Sequence, residues 1–446
     1  MTVNDGLARL VSTARVAPLP VRRGGRVAAF DGSLVEATGL DAQVGSRARI
    51  GAGPLHRALM AEIIGFRDDR ALLLGLSPLT GIAPGAGVFV ESHDGGFAVG
   101  NSLLGRVIDG LGQPLDGRGP LHLDCRRSLR GAAPQPADRM SVTEVLPTGV
   151  RPLDALLTLG CGQRVGIMAG SGVGKSVLLG QIARGAAADV VVMALIGERG
   201  REITDFIDRE LVGAVRARTV TLAVPADNAA LLRVRGAEAA FTIAEHFRDQ
   251  GAHVLLILDS LSRVVHGARD VAMARGEAIG ARGFPASALG LIPTLAERAG
   301  GDRRSGGAIT LIATVLAEAN AGDSGGNDAI VDAARGVLDG HILLSRRLAG
   351  RGQFPAIDLA ASASRVMTDI CTSAHLAAAT RFRRLAALVE DNRDLVLMGA
   401  YAPGSDAELD AALALDPAMQ GFRTQPRDEQ VGFADAEAAL QSLVGR

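Results

Sequence analysis

Several residue types that particular functions require are missing from this 446-residue chain or scarce in it. There is no tryptophan, one tyrosine and twelve phenylalanines, so aromatic side chains on which single-stranded bases could stack are few. The formal net charge is −1, from 47 basic and 48 acidic side chains, which argues against a broad nucleic-acid-binding surface. These scarcities predict that nucleic acid is not a partner.

Cysteine and long apolar runs are also scarce. Cys125, Cys161 and Cys371 are widely spaced and form no disulfide or metal-binding pattern. No apolar run approaches the length of a membrane span, and the N-terminus lacks the basic and apolar regions of a signal peptide. The sequence therefore predicts a cytoplasmic protein. Within residues 1–20, Leu7, Leu10, Val11 and Ala14 share helical spacing, which fits either a locally packed helix or a docking segment for a partner or a membrane surface.

Lysine is almost absent, because Lys175 is the only one in the chain. It lies in the octapeptide A-G-S-G-V-G-K-S, 169–176, between an apolar stretch typical of a buried strand, 164–168, and one typical of a helix, 177–183. Strand, glycine-rich loop, Lys-Ser and helix form the phosphate-binding P-loop pattern. A planar guanidinium does not replace an ammonium on a phosphate, so a lone lysine at this position favours the motif over a chance glycine-rich turn.

Each residue type in the loop has a chemical role. Gly170, Gly172 and Gly174 permit the tight turn that brings backbone N–H groups close to phosphate oxygens. Lys175 would reach the β- and γ-phosphates, and the Ser176 hydroxyl would ligate Mg²⁺. The predicted nucleotide-binding residues of this loop are Ala169, Gly170, Ser171, Gly172, Val173, Gly174, Lys175, Ser176 and Val177. Ala169 replaces the glycine of the simplest form of the motif.

The pattern of apolar residues divides the chain into three parts. Residues 22–92 alternate short apolar stretches with turns, which predicts a small β-barrel with strands at 26–30, 58–64 and 71–76. Residues 105–117 and 132–147 are rich in glycine or proline and indicate irregular connections. From 153 to about 365, apolar strands alternate with helices, and the segment after Thr372 is typical of helix.

The strands of the middle part are wholly apolar and rich in branched residues, which is typical of a parallel sheet covered on both faces. These predicted strands are 190–196, 254–258, 309–316 and 341–345. The fold class is therefore α/β. Ligands of such folds bind at the carboxyl ends of the strands, so polar residues that follow a strand are candidates for the site.

Two strands end in acidic residues. Asp259 follows 254–258 and fits the Walker-B carboxylate that holds Mg²⁺, although an ordinary helix N-cap would also place an aspartate there. Glu198 and Glu202 follow 190–196. Glu198 is the candidate that polarises the attacking water, and Glu202 could support the water shell of the metal. A solvated charge cluster is the alternative for both glutamates.

Nine motifs occur in one order and resemble those of the flagellar and type III secretion export ATPases, relatives of the rotary ATP synthase catalytic subunit. They lie at 103–117, 148–158, 169–176, 197–202, 244–251, 259–263, 338–346, 354–358 and 364–367. The resemblance spans about residues 20–425. The tracts G-F-R-D-D-R-A-L-L-L, 65–74, and M-G-A-Y with G-S-D, 398–406, favour the flagellar branch.

The resemblance implies a RecA-like P-loop ATPase core with a small N-terminal β-barrel and a C-terminal helical domain. The implied boundaries are 1–20 for the docking segment, 21–92 for the barrel, 93–371 for the nucleotide-binding domain and 372–446 for the helical domain. It makes Glu198 the catalytic carboxylate and Arg365 an arginine finger that acts on the neighbouring subunit. It places Phe354 against the adenine ring. A salt-bridged structural arginine and a core phenylalanine are the alternatives that the sequence leaves open.

The implied activity is Mg²⁺-dependent ATP hydrolysis that energises protein export. The implied partners are five more copies in a homohexamer, export substrates and chaperones, a regulatory or stator protein at the N-terminus, and a membrane-embedded export gate at whose inner face the protein would sit. Two loops depart from the family, the G-E-A-I tract at 276–279 and the long glycine-rich loop at 318–328, and both bear on coupling to substrate.

The sequence leaves four other functions open: a non-flagellar type III secretion ATPase, a rotary ATP synthase subunit, an RNA-translocating hexamer and a nucleotide-binding scaffold without turnover. A rotary subunit would need a homologous partner. An RNA translocase would need a basic, aromatic N-terminal domain, and residues 22–92 hold only Phe30, Phe66 and Phe89. The intact Glu198 and Arg365 argue against the scaffold.

Overall fold

The structure is a computed structural model that describes residues 24–51, 59–92, 96–280, 282–316 and 328–445. The predicted docking segment, 1–20, lies outside the described residues, and so does the 318–328 loop apart from Asp328. The chain divides into two compact units, with the boundary between Gly95 and Gly96. Within the described ranges, no helix has the length and apolarity needed to cross a membrane.

The first unit is a closed barrel whose strands follow the order β1-β2-β5-β4-β3-β6. Its strands are β1 (Gly24–Phe30), β2 (Leu34–Thr38), β3 (Arg47–Ile50), β4 (Leu59–Arg67), β5 (Arg70–Gly75) and β6 (Gly87–Ser92). Their inward side chains form a separate core that includes Val35, Ile50, Ile63 and Leu73. The barrel is confirmed, because the three predicted stretches correspond to β1, β4 and β5.

A mixed sheet forms the centre of the second unit, in the order β20-β19-β13-β18-β16-β14-β15-β8, with β17 paired to β18 and β10 paired to β17. The strands of this unit are β7 (Phe97–Val99), β8 (Val107–Ile108), β9 (Cys125–Arg127), β10 (Arg139–Met140), β11 (Val145–Leu146), β12 (Leu159–Gly160), β13 (Arg164–Ala169), β14 (Val190–Ile196), β15 (Thr219–Val224), β16 (His253–Asp259), β17 (Gly300–Asp302), β18 (Ala308–Leu316), β19 (Gly340–Leu344) and β20 (Ile357–Ser364). From β8 to β19 the neighbours along this order are parallel, whereas β20 pairs antiparallel with β19.

The predicted parallel strands are confirmed, and two predicted irregular connections prove to contain strands. Residues 105–117 include β8, which pairs with β15 at one end of the sheet, and residues 132–147 include β10 and β11. The local pattern of apolar residues does not reveal such short strands, because contacts of side chains with other parts of the chain hold them in place. At β8, Arg106 Nε donates to Asp116 at 2.7 Å, and the same carboxylate accepts the Val107 N–H at 3.1 Å.

Helices cover the sheet and continue beyond it. Among the described residues they are α1 (Arg151–Leu156), α2 (Lys175–Gly185), α3 (Gly200–Glu210), α4 (Ala214–Ala217), α5 (Ala230–Arg248), α6 (Leu261–Ala274), α7 (Ala286–Ala296), α8 (Ala329–Val337), α9 (Arg346–Gly350), α10 (Met367–Ile370), α11 (Ser373–Asp391), α12 (Arg393–Leu397), α13 (Ala407–Arg423) and α14 (Phe433–Val444). Short 3₁₀ turns lie at Asn101–Leu103 and Pro136–Asp138. The prediction of a helical tail after Thr372 is confirmed.

The C-terminal helices pack into the same core as the sheet. One continuous set of buried side chains joins Leu153 of α1 and Ile342 of β19 with Phe382 of α11 and Leu440 of α14. The rings of Phe382 and Phe422 lie 5.4 Å apart in this core. This shared burial explains why the helices belong to the second compact unit. The boundaries at 21, 93 and 372 stay predictions.

Candidate active site

The predicted P-loop connects β13 to α2. β13 ends at Ala169, and α2 begins at Lys175 after Gly174, whose φ of +86° is in the left-handed region that favours glycine. Gly172 also has a positive φ, +77°, and a Cβ built there would meet no atom within 4 Å. The space over the loop is therefore open, and the unpaired N–H groups at the start of α2 provide an anion-binding end.

Lys175 lies between the two predicted carboxylates. Its Nζ donates to Asp259 Oδ1 at 2.5 Å and to Glu198 Oε1 at 3.1 Å. Burial alone would lower the pKa of Lys175, but the charges and hydrogen bonds of Asp259 and Glu198 outweigh burial and raise that pKa. The ammonium thus stays protonated. The structure brings together three of the residues that the sequence assigned to the site.

Strand order explains this meeting. β18 separates β13 from β16, and β14 is the next strand after β16, so the carboxyl ends of all four strands lie along one edge. Asp259 is the last residue of β16 and stands level with Leu195 of β14 in the strand pairing. Glu198 comes two residues after β14 ends. Parallel pairing alone therefore places the Lys175, Glu198 and Asp259 side chains at the same edge.

A residue that sequence reasoning missed supports Asp259. Thr314 of β18 is fully buried, and its Oγ1 donates to Asp259 Oδ1 at 2.6 Å. Because Asp259 is only 3% exposed, this bond and the Lys175 contact fix the orientation of its carboxylate. A hydroxyl within the apolar run of β18, between the two motif-bearing strands, is the signal that could have indicated this role.

The two glutamates after β14 have different environments. The Glu198 side chain is 16% exposed and contacts Lys175, whereas the Glu202 side chain is 46% exposed and pairs with Arg199 at 3.4 Å. Gly197 permits the turn before Glu198, because its φ is +77° and a Cβ there would lie 2.5 Å from Arg263 Cβ. The structure does not bring Glu202 into the Lys175 cluster, and its metal-supporting role stays a prediction.

Phe354 lies beside the P-loop. A Cβ built on Gly174 would be 3.1 Å from Phe354 Cδ1, so the ring packs directly against the residue that precedes α2. The side chain is 40% exposed, which does not fit the alternative of a core phenylalanine. Its position next to an open phosphate-binding loop fits contact with the base of a nucleotide.

Arg365 lies at the opposite edge of the sheet. It follows β20, where Ser364 pairs with Gly340, and Gly340 pairs with Val165 near the beginning of β13. At about 3.3 Å per residue, the rest of β13 separates Arg365 from the P-loop by more than about 13 Å. Its guanidinium is exposed and donates to the backbone carbonyls of Leu338 at 3.2 Å and Arg335 at 3.3 Å. Because these partners are backbone carbonyls and not carboxylates, they do not fit the alternative of a salt-bridged arginine.

The side chains fit a magnesium ion that a nucleotide brings with it. Among the described residues, no group of three or more His, Cys, Asp or Glu side chains could hold a metal by itself. Mg²⁺ commonly keeps several waters and binds through one or two protein oxygens and substrate phosphates. Asp259 supplies a fixed carboxylate at the strand edge, and Ser176 supplies an exposed hydroxyl at the start of α2.

Comparison with known proteins shows the family of this chain. Residues 149–364 match the model of the ATP synthase alpha/beta family nucleotide-binding domain, and residues 371–442 match that of the T3SS EscN ATPase C-terminal domain. The chain is 47% identical over 440 residues to the flagellum-specific ATP synthase of Salmonella typhimurium, covering 96% of this chain and 95% of that protein.

Solved structures match over the same length. The assembled ATPase EscN of the enteropathogenic E. coli type III secretion system superimposes with a TM-score of 0.88 at 39% identity, covering 94% of this chain and 100% of that chain. EscN in complex with its central stalk EscO superimposes with a TM-score of 0.86 at 39% identity and the same coverage. The chain therefore belongs to the family of flagellum-specific ATP synthases and type III secretion ATPases, and it is an ATPase.

Proposed function

We propose that this ATPase hydrolyses ATP with Mg²⁺ and energises protein export through a flagellar-type secretion apparatus. The observation that carries the proposal is the position of Lys175, held between Glu198 and Asp259 beside an open P-loop. A phosphate chain that enters the loop meets a protonated ammonium, backbone N–H groups and two carboxylates with separate tasks. The non-flagellar type III secretion ATPase is the second candidate, favoured by the match to EscN.

Each side chain of the site has a separate role in the proposed mechanism. Lys175 and the loop N–H groups bind the β- and γ-phosphate oxygens, and Phe354 packs on the base. Ser176 and Asp259 would hold Mg²⁺, which would neutralise phosphate charge when bound. Glu198 orients the attacking water and accepts its hydrogen bond. The Glu198 carboxylate is already directed at the phosphate end of the loop by its contact with Lys175.

Arg365 would complete the site of another copy. Its distance from the P-loop of its own chain excludes direct contact with the γ-phosphate there, whereas its exposure suits contact with a neighbour. An arginine supplied in trans stabilises the charge of the transition state and accelerates phosphoryl transfer by several orders of magnitude. This geometry supports assembly of identical chains, as the homohexamer of the proposal requires.

The proposal includes partners and a location. The central stalk in one EscN complex supports the expectation of a regulatory partner for this chain. Export substrates, their chaperones, a stator protein at the N-terminus and a membrane-embedded export gate complete the proposed set. The protein would then act as a peripheral cytoplasmic ATPase at the inner face of the membrane apparatus.

Hydrolysis by the purified chain tests the chemical half of the proposal. We expect phosphate release from ATP with Mg²⁺, loss of release when EDTA removes the metal, and recovery when Mg²⁺ is restored. Hydrolysis that continues unchanged in EDTA would contradict the assigned use of Asp259 and Ser176.

Deletion of the gene tests the export half. We expect the deletion strain to lose flagellar filament export, the wild-type gene to restore it, and a Glu198→Gln gene to fail. Intact motility together with loss of another secreted set of proteins would favour the non-flagellar candidate instead.

A further inference from the structure

Gln425 is a buried amide whose hydrogen-bonding groups are all engaged. It lies just after α13 and is 3% exposed. Its Oε1 accepts the Arg151 N–H at 2.7 Å, and its Nε2 donates to the carbonyls of Gly149 at 2.9 Å and Glu429 at 3.0 Å. Three partners of fixed polarity determine the orientation of the amide, so the side chain joins the 149–151 turn to the C-terminal segment.

The backbone of the same residue reaches the base side of the nucleotide site. The Gln425 N–H donates to the Phe354 carbonyl at 2.9 Å. Phe354 in turn packs against Gly174 at the start of α2. The side chain of Gln425 is therefore anchored in the 149–151 turn, while its main chain holds the residue that flanks the P-loop.

Neighbours of Gln425 attach the same segment to the P-loop helix. Gln181 of α2 donates from Nε2 to the Pro426 carbonyl at 3.1 Å, and Arg184 of α2 donates from Nη2 to the Arg427 carbonyl at 3.0 Å. Arg427 also donates to Glu210 of α3 at 2.6 Å. These contacts fix the segment relative to α2, so the Gln425 amide determines where the Phe354 carbonyl is held with respect to the loop.

We propose that Gln425 is a positioning residue for the nucleotide base, acting through Phe354 and not through the phosphates. The inference rests on the proposed contact between Phe354 and the base. It follows that the C-terminal segment controls affinity for the base half of ATP. None of these hydrogen bonds of Gln425 involves Lys175, Glu198 or Asp259, so the phosphate half of the site should not respond to the loss of Gln425.

Two ligands distinguish the base half of the site from the phosphate half. They are ATP and inorganic tripolyphosphate, which has the phosphate chain without the base. We expect Gln425→Leu to weaken ATP binding about tenfold, a typical effect of losing one well-made hydrogen-bonded contact, and to leave tripolyphosphate binding unchanged. KM should rise about tenfold with kcat nearly constant, because the lost contact serves ground state and transition state alike. Gln425→Glu retains the acceptor for Arg151 but places a carboxylate oxygen against the Gly149 and Glu429 carbonyls, so it should show an equal or larger loss of the same kind.

Gln430→Leu is the matched control. Gln430 lies in the same segment and is exposed overall, while its amide packs against Gly149 and Gly185 and has a long 3.5 Å contact with the Gln181 carbonyl instead of a bond to Phe354. It should change the binding of neither ligand. Tripolyphosphate binding also reports that the Gln425 variants fold, so an inactive, misfolded protein would be recognised.

A double-mutant cycle with Phe354→Ala tests whether Gln425 affects ATP binding through Phe354. If Gln425 acts through Phe354, the double variant should bind ATP no more weakly than Phe354→Ala alone. Additive losses, or equal weakening of ATP and tripolyphosphate by Gln425→Leu, would overturn the inference. No effect of Phe354→Ala on ATP would refute the base contact and the inference with it, while tripolyphosphate binding that depends on Lys175 would leave the proposed phosphate site intact.

Discussion

The charged side chains at the two edges of the central sheet differ in burial and in hydrogen-bond partners. At the carboxyl edge, Lys175 Nζ lies within 3.1 Å of both Glu198 and Asp259, and the three side chains form a paired and largely buried cluster. At the amino edge, Arg365 is exposed and donates to backbone carbonyls, with no carboxylate among its partners in the described part of the chain. The first arrangement suits the proposed binding of a ligand within one chain, whereas the second leaves a cation accessible, as the proposed role of Arg365 on another chain requires.

Removal of Lys175 should have the largest effect on the carboxyl edge. Lys175→Ala deletes the phosphate ligand and leaves two buried carboxylates without their cation, so we expect hydrolysis to fall by about 10³-fold or more. Lys175→Arg should fail almost as badly, since the planar guanidinium does not fit the loop. Steady-state phosphate release measures both.

Arg199→Ala is the control for the loss of Lys175. Arg199 is exposed at the same edge and contacts Glu202, so its removal should change hydrolysis little. Near-normal turnover by Lys175→Arg would contradict the argument from the lone lysine.

Glu198→Gln should have the next largest effect. The amide keeps the shape of the side chain and loses the charge that polarises water, so we expect ATP binding to persist and hydrolysis to slow by about 10²-fold or more. Binding and single-turnover hydrolysis should be measured separately. Glu202→Gln provides the comparison, because that side chain lies outside the cluster and should have a much smaller effect. Unchanged hydrolysis by Glu198→Gln would contradict the catalytic role and favour the alternative of a solvated charge cluster.

Thr314→Val should reduce hydrolysis less than the substitutions of Lys175 and Glu198. The same substitution at the amino edge of the sheet should not reduce it. The variant keeps the volume and removes the hydrogen bond to Asp259, and we expect kcat to fall about threefold to tenfold, equivalent to about 0.5–1.5 kcal/mol. Thr310→Val is the same substitution on the same strand at the amino end, where the hydroxyl accepts the Gly162 N–H at 2.8 Å.

Thr310→Val should lower the free energy of unfolding and leave kcat unchanged. Thermal unfolding and kcat measured on both variants test the contrast. Equal kcat for Thr314→Val and the wild type would show that Lys175 alone is sufficient to hold Asp259.

The sequence predicts the carboxyl edge well because its signals are local. A P-loop occupies eight consecutive residues, and Asp259 and Glu198 are recognisable as the polar residues at or just beyond the ends of apolar strands. The parallel pairing that joins them follows from the same apolar pattern. The barrel strands and the helical tail are equally local features.

Contacts between distant parts of the chain could not be predicted in the same way. The bond from Thr314 to Asp259 spans 55 residues, and the bond from Gln425 to Gly149 spans 276. A threonine and a glutamine carry no motif, so only the fold shows their partners. Glu202 is a similar case, since its spacing does not show that the Glu202 side chain pairs with Arg199. The edge that Arg365 occupies depends on the antiparallel strand β20, which small and polar residues conceal in the sequence.

Complementation between two inactive variants tests most directly whether Arg365 completes the site of another chain. Arg365→Ala retains the pocket and lacks the finger, while Lys175→Ala retains the finger and lacks the pocket. We expect each variant to be inactive alone and the mixture to regain part of the activity, since interfaces that join the intact pocket to the intact finger form on assembly. A mixture of Lys175→Ala with Glu198→Gln, two lesions of the same pocket, should not recover. If the first mixture stays inactive although cross-linking shows mixed oligomers, Arg365 does not act in trans.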